Sequence, residues 1–244
     1  MTPGAALLDV FTSMLLSAYA AYFVMSGLSY LIVFVALRRR LGFLDPPDRR
    51  ENLRAIRTAL GSILGNVLVT APIVWAMLHG HAHLYFSVAD HGLVWLLASP
   101  LLVLAVTESA IYWIHRGLHV PWVYARFHRQ HHAFRRPTSW VSNAFHPLDS
   151  FVQALPYHLC PFLFPLHVDV YIAMLALVMV WTVLIHDRTA VWRHPAINHT
   201  ERHAIHHWYN KHNYGQFFTL WDKIGGTCRG VDTHPVSIRR TGAS

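Results

Sequence analysis

"LLDVFTSMLLSAYAAYFVMSGLSYLIVFVAL", Leu7 to Leu37, is a long apolar run with one charge, Asp9, and it ends on Arg38, Arg39 and Arg40. A helix crosses the hydrocarbon core of a bilayer with about 20 mostly apolar residues. This run is longer, so a tilted crossing or an interfacial first turn is expected. Further runs of this kind extend from about Ala59 to Leu78 and from about Leu93 to Ile114. A fourth block, Phe151 to Ile185, contains Pro156, Pro161 and Pro165. Proline removes a backbone donor and disrupts helix interiors, so this block reads as a hairpin or re-entrant piece followed by a full helix near Val168 to Ile185.

Composition agrees. Of 244 residues, 54% are hydrophobic and 13% charged, against about 25% charged in soluble domains. The length suits one domain. The expected fold is therefore all-α: a multi-pass membrane protein of about four hydrophobic helices in a single unit, 1–244. Within it, 1–114 is expected to be mainly transmembrane, 151–185 a membrane hairpin, and 115–150 with 186–229 a cytosolic, histidine-rich di-metal cap. The tail after Arg229 is expected to be poorly ordered. The first apolar run has no Lys or Arg before it, which favours a retained first helix over a cleaved leader.

The net charge is +8, and seven arginines fall between Arg38 and Arg57. Beside long apolar runs, such a cluster marks a membrane face rather than a nucleic-acid surface. Lysine and arginine concentrate in cytosolic loops. The loop after the first helix is strongly basic, whereas "HGHAHLYFSVADHG" after the second has neither residue. The basic loop is thus expected in the cytosol, and the third helix then delivers His115 to that same side. The two cysteines, Cys160 and Cys228, form no CxxC, so neither a disulfide framework nor a thiolate site is indicated.

Twenty histidines are present, and eight fall in three boxes. "HRGLH" holds His115 and His119, "HRQHH" holds His128, His131 and His132, and "HAIHH" holds His203, His206 and His207. Residues at i, i+3 and i+4 share a helix face, so HxxxH aims two imidazoles at one point and HxxHH aims three. Eight ligands exceed the needs of one ion and suit two. Imidazole accepts iron, zinc, copper or nickel, so the ligands do not name the metal. HExxH, a Gly-x-Ser-x-Gly elbow and a phosphate loop are absent. A haem needs one or two axial histidines. A dinuclear site that activates oxygen and attacks an unactivated C–H bond fits best, because side chains alone cannot do this. His79, His81, His83 and His91 lie in the loop expected on the opposite side, and His194, His212 and His234 have no spacing argument.

The three boxes in order resemble the membrane fatty-acid-hydroxylase and sterol-desaturase superfamily. "IYWIHRGLHVPWVY", "AFHPLDSFVQALPYHLCPFLFPLH", "WTVLIHD" and "HNYGQFFTLWDKIGG" are similar, more narrowly, to the sterol C-5 desaturases (lathosterol oxidases), from about Leu84 to Arg229. The resemblance implies two iron ions held by histidines, with zinc able to replace them on purification. It implies molecular oxygen as oxidant and electrons from NAD(P)H through cytochrome b5 or a ferredoxin-like donor. The implied reaction sets a C=C bond at C-5 of a sterol B ring. A hydroxylase acting on a sterol, fatty acyl lipid or carotenoid is the alternative, and a metal-binding membrane protein without catalysis is the non-enzymatic one.

The same resemblance adds His186, in "IHD", and His146, in "AFHP", to the eight box histidines; His158, in "LPYH", also matches a recurrent position, either as a ligand or in a packing or hydrogen-bonding role. Asp187, Asp149 and Asp222 are candidates to orient ligand imidazoles. Asn143, Glu108, His199 and Arg202 stand where the resembling family has other residues. The implied location is the endoplasmic reticulum of a eukaryote or the inner membrane of a bacterium. If the topology is right, His81→Ala leaves activity unchanged; a large loss in a turnover assay would put His81 on the wrong side of the bilayer.

Overall fold

The computed structural model describes residues 4–41, 47–134, 137–189 and 194–230. The tail beyond 230, expected to be poorly ordered, lies outside the described residues. Helix α1 (Leu7–Tyr30) continues through a wider turn at Leu31–Ala36. It is followed by α2 (Arg49–Ala76), α3 (Gly92–Leu118), α6 (Pro147–Leu163) and α7 (Val168–His186). Between α3 and α6 lie the short α4 (Pro121–Val123) and α5 (Arg129–His132), joined by a wide turn at Tyr124–His128. After α7 come α8 (Thr200–Tyr209) and α9 (Leu220–Ile224).

Four of these helical stretches are long and apolar enough to cross a membrane: Leu7–Ala36, Arg49–His81, Gly92–Leu118 and Val168–His186. Their outward faces remain apolar, with Leu8, Leu16, Val94, Leu97 and Leu101 all exposed. A helix that is apolar all round belongs in hydrocarbon. The protein is a mostly helical, multi-pass membrane protein. Two two-residue strands, β1 (Leu84–Tyr85) and β2 (Leu166–His167), pair in parallel and tie the α2–α3 loop to the α6–α7 turn.

Two boundaries differ from expectation. Helix α2 begins at Arg49, ten residues before Ala59, because Asp48 caps it by accepting from Arg50 N at 2.7 Å, and a capping carboxylate satisfies an otherwise orphaned amide. Half of the basic segment is therefore helical. The prolines also fail to break the fourth block where expected. Pro156 and Pro161 lie inside a continuous α6, and the chain turns only at Phe164 and Pro165. The carbonyl of Pro161 is taken by His83 N at 2.7 Å; a neighbouring segment thus supplies a partner at the proline-containing end of the helix.

The box end of the bundle is also its basic end. Arg54 stacks over Phe134 at 4.9 Å and Arg188 over Phe34 at 5.0 Å. Tyr22 donates to Trp140 O at 2.8 Å, and Ser26 meets Ser142 at 3.1 Å, which fastens α1 to the segment after the second box. The head of α6 is set by α2, where Gly65 presses on the ring of Pro147 with no room for a Cβ. Overpacking a tight contact costs about 1–3 kcal/mol. Gly65→Ala is therefore expected to lower the thermal stability of detergent-solubilised protein by about that amount; an unchanged melting temperature would show that the contact yields freely.

Candidate metal centre

Among the described residues, nine histidines converge in two groups at one end of the bundle. The ligand nitrogens of His115, His119, His128, His132 and His206 all lie within 4.8 Å of one another, and so do those of His131, His186, His203 and His207. The chain thus brings together the eight box histidines and His186. His146 is in neither group. Its Nδ1 caps α6 by accepting from Leu148 N at 3.2 Å, and its ring lies against Phe127 at 5.2 Å.

The HxxHH boxes do not aim three imidazoles at one point. In each, the i,i+4 pair stays together and the i+3 histidine crosses to the other group: His128 and His132 part from His131, and His203 and His207 part from His206. At about 100° per residue, i and i+4 differ by about 40°, whereas i+3 lies about 60° to the other side. Each of these boxes therefore serves both groups.

The outward nitrogens explain the inward ones. His115 Nδ1 faces Tyr214 O at 2.9 Å, His186 Nδ1 faces Thr182 O at 2.7 Å, and His206 Nδ1 faces His212 O at 2.8 Å. His128 Nδ1 meets Asp149 Oδ2 at 2.7 Å. Carbonyl and carboxylate oxygens only accept, so these four rings carry their proton on Nδ1 and turn the Nε2 lone pair inward. There, His132 Nε2 lies 3.0 Å from His128 Nε2 and 3.1 Å from His206 Nε2. In the second group, His186 Nε2 lies 3.1 Å from His203 Nε2 and 3.4 Å from His131 Nε2, and His207 Nε2 lies 3.1 Å from His203 Nε2. His119 Nε2 is buried with no hydrogen-bond partner among the described residues. Nitrogens sharing one ion at about 2.0–2.1 Å stand about 3.0 Å apart at a right angle and about 4.2 Å apart in line. The residues present fit two cations, with five and four nitrogen donors.

Burial sets the protonation. His119, His131, His132, His203, His206 and His207 are all pushed below the ordinary imidazole value of 6.5, first by desolvation and then by repulsion from neighbouring histidines. Neutral imidazole is the form that binds metal.

Carboxylates hold the surrounding loop. Glu108 in α3 accepts from Phe217 N and Phe218 N, each at 3.0 Å, and Asp222 in α9 accepts from Tyr214 N at 2.8 Å and Gly215 N at 2.9 Å. Together they fix the loop whose Tyr214 carbonyl orients His115. Of the three aspartates expected to orient ligands, Asp149 touches a group histidine directly and Asp222 acts through the backbone. Asp187 instead accepts from Thr189 N and Oγ1, and burial pushes its carboxyl up to about 6. The carbonyls of Tyr214, Thr182 and His212 had no sequence signal, because any residue supplies one. His158 packs below, its Nδ1 2.6 Å from Tyr171 OH.

Beneath the imidazoles lies a cavity of about 490 Å³, a common size for a small-molecule site. His115, His131, His186 and His203 form its roof. Met14, Ala18 and Met25 of α1 and Ile172, Leu175 and Met179 of α7 give it apolar walls.

The fatty acid hydroxylase family model matches residues 100–227. The chain is 40% identical to the lathosterol oxidase of Mus musculus, over 93% of this chain and 75% of that one. It is 41% identical to the lathosterol oxidase of Homo sapiens, over 86% and 71%. Identity to a Delta(7)-sterol 5(6)-desaturase of Schizosaccharomyces pombe is 39%, over 86% and 69%. No solved structure matches the chain.

The depressed histidines make stability depend on pH. Below 6.5 the unfolded chain takes up protons that the folded groups refuse, so stability present above 6.5 is lost as pH falls. Each such histidine contributes up to about 1.4 kcal/mol per pH unit. Metal-stripped protein is expected to show a steep drop in unfolding temperature from pH 7 to 5; a flat profile would mean the rings are not held neutral.

Proposed function

Because this chain belongs to the fatty acid hydroxylase family, we propose that it is a membrane-bound oxidoreductase that introduces the C-5 double bond into the B ring of a sterol. The single observation that carries the reading is the juxtaposition of two imidazole groups with an apolar cavity directly beneath them. The names of its relatives supply the substrate class.

His115, His119, His128, His132 and His206 would hold one ion, and His131, His186, His203 and His207 the other. Iron at these positions, with molecular oxygen and electrons passed from NAD(P)H through cytochrome b5 or a ferredoxin-like donor, would supply the oxidising power that side chains lack. Overall, two hydrogens leave the substrate, and with oxygen, two electrons and two protons they account for two waters. The chain's own part is positioning. Carbonyl and carboxylate acceptors hold four rings in the tautomer that points Nε2 inward, a role whose loss typically costs 10–100-fold in metal affinity or activity. The apolar walls take the fused rings and exclude water. A substrate already dissolved in the bilayer would reach this cavity between the helices.

The Arg-rich segment lies at the same end of the bundle as the imidazoles, and positive loops stay in the cytosol. On that ground the centre faces the cytosol, from the endoplasmic reticulum of a eukaryotic host or the inner membrane of a bacterial one. The residues from 115 to 150 and from 186 to 229 would then form the cap of one domain.

The family's name supports a second reading, hydroxylation of a sterol, fatty acyl lipid or carotenoid, by the same ligand set. Mass spectrometry of lipids from cells fed a Δ7-sterol saturated at C-5 separates the two. Loss of two hydrogens is expected with the intact protein and not with His206→Ala or His131→Ala, both of which should still reach the membrane. Gain of one oxygen would establish the hydroxylase instead, and full activity in either variant would remove the metal-centre reading.

A further inference from the structure

The cavity has unlike walls. Besides the mainly apolar walls from α1 and α7, α6 contributes Ser150, Gln153 and Tyr157 to the lining and α2 contributes Asn66 and Thr70. Most of these groups are already engaged with one another or with the roof loop. Asn66 Nδ2 donates to Ser150 Oγ at 2.8 Å, Thr70 Oγ1 donates to Asn66 O at 2.9 Å, and Tyr157 OH donates to Gln216 Oε1 at 2.9 Å.

Gln153 differs. Its Nε2 donates to Asp149 Oδ1 at 2.7 Å, and the other oxygen of Asp149 accepts from His128 Nδ1 at 2.7 Å. A carboxylate can only accept, so the amide orientation is fixed. The amide oxygen is thereby left without a hydrogen bond among the described residues. Asp149 and His128 are fully buried behind the cavity wall, and Gln153 is the side chain that reaches from that pair to the cavity.

Resting on the sterol reading, we propose that Gln153 recognises the sterol hydroxyl, with Oε1 accepting the hydroxyl proton. The position meets the chemistry. The hydroxyl of a sterol is on C3, two carbon–carbon bonds from C5, so its partner must sit close under the roof when C5 does. Gln153 lies in the second turn of α6, and that helix starts at the roof and runs away from it. The polar pair His158 and Tyr171, joined through Nδ1 and OH, lies more than a turn further along the same helix from the roof. A ligand without the hydroxyl leaves the amide oxygen desolvated and unpaired, which is the arrangement that discriminates most strongly. Gln153 is a specificity-determining residue on this account, and its bond to Asp149 keeps the amide aimed.

The test compares a 3β-hydroxy Δ7-sterol with its 3-deoxy counterpart, in membranes containing the full-length protein. Two ratios are read: kcat/KM for turnover, and equilibrium binding to metal-free protein. Wild type is expected to favour the hydroxylated sterol by about 10- to 100-fold in both. Gln153→Leu and the closer-sized Gln153→Met are expected to bring both ratios near one, chiefly through loss on the hydroxylated sterol. Because each ratio is internal to one protein, partial misfolding or metal loss does not mimic the result. Wild type that does not discriminate, or variants that discriminate as wild type does, would overturn the assignment of Gln153 while leaving sterol desaturation intact. If wild type neither binds nor converts either sterol, the sterol reading itself falls and the assignment with it.

Discussion

The rest of this structure is organised around one constraint: imidazoles crowded together in a buried place, four of them with the Nε2 lone pair turned inward. Four rings are locked in that direction by oxygens behind them. Neighbouring Nε2 atoms stand 3.0–3.4 Å apart, and desolvation with mutual repulsion of charged forms keeps the rings neutral. The arrangement makes sense as a site shaped for cations, and it demands rigid support. That support comes from α3 and α7, which end at the site, and from a loop whose amides are held by Glu108 and Asp222.

This support shows how the membrane bundle and the polar end are coupled. Glu108 lies within a helix apolar enough to span a bilayer, where an ionisable group is costly unless it is paired or functional. Here its partners are two successive amides of the loop that contributes Gln216 to the cavity and Tyr214 to the roof. Trp181 of α7 donates to Gln216 O at 2.7 Å, so the same loop is bound from two helices. The loop belongs to the bundle as much as to the cap.

Much of this was legible in the sequence, and the failures have identifiable causes. Apolar run length gave the four long helices, because hydrocarbon thickness is a strong constraint. Box spacing gave eight of the nine converging histidines. His186 has no spacing partner; only its resemblance to a recurring position found it, and the same argument also brought in His146, which caps a helix. The start of α2 was missed because charge was read as loop, although Asp48 is a good N-cap and the Arg, Glu and Leu residues after it are good helix formers. The breaks expected at Pro156 and Pro161 did not occur because tertiary packing outweighed local preference. The division of each HxxHH between two groups follows from helix angles, but only once two partners exist to receive the two directions. Backbone acceptors were invisible, since every residue has a carbonyl.

The unlike walls of the cavity carry a stereochemical consequence. A fused-ring molecule is flat, and nothing in a uniformly greasy slot would prevent it from entering upside down. In a slot whose amide side chains Asn66 and Gln153 come from α2 and α6 and whose α1 and α7 walls are mainly apolar, turning the molecule over exchanges the edges that meet each wall. On the sterol reading, the container is chiral in the sense that matters to chemistry: it would present one face of the ring system to the roof and hide the other. Which of two hydrogens on the same carbon is exposed would then be decided by the helices, before any bond is broken.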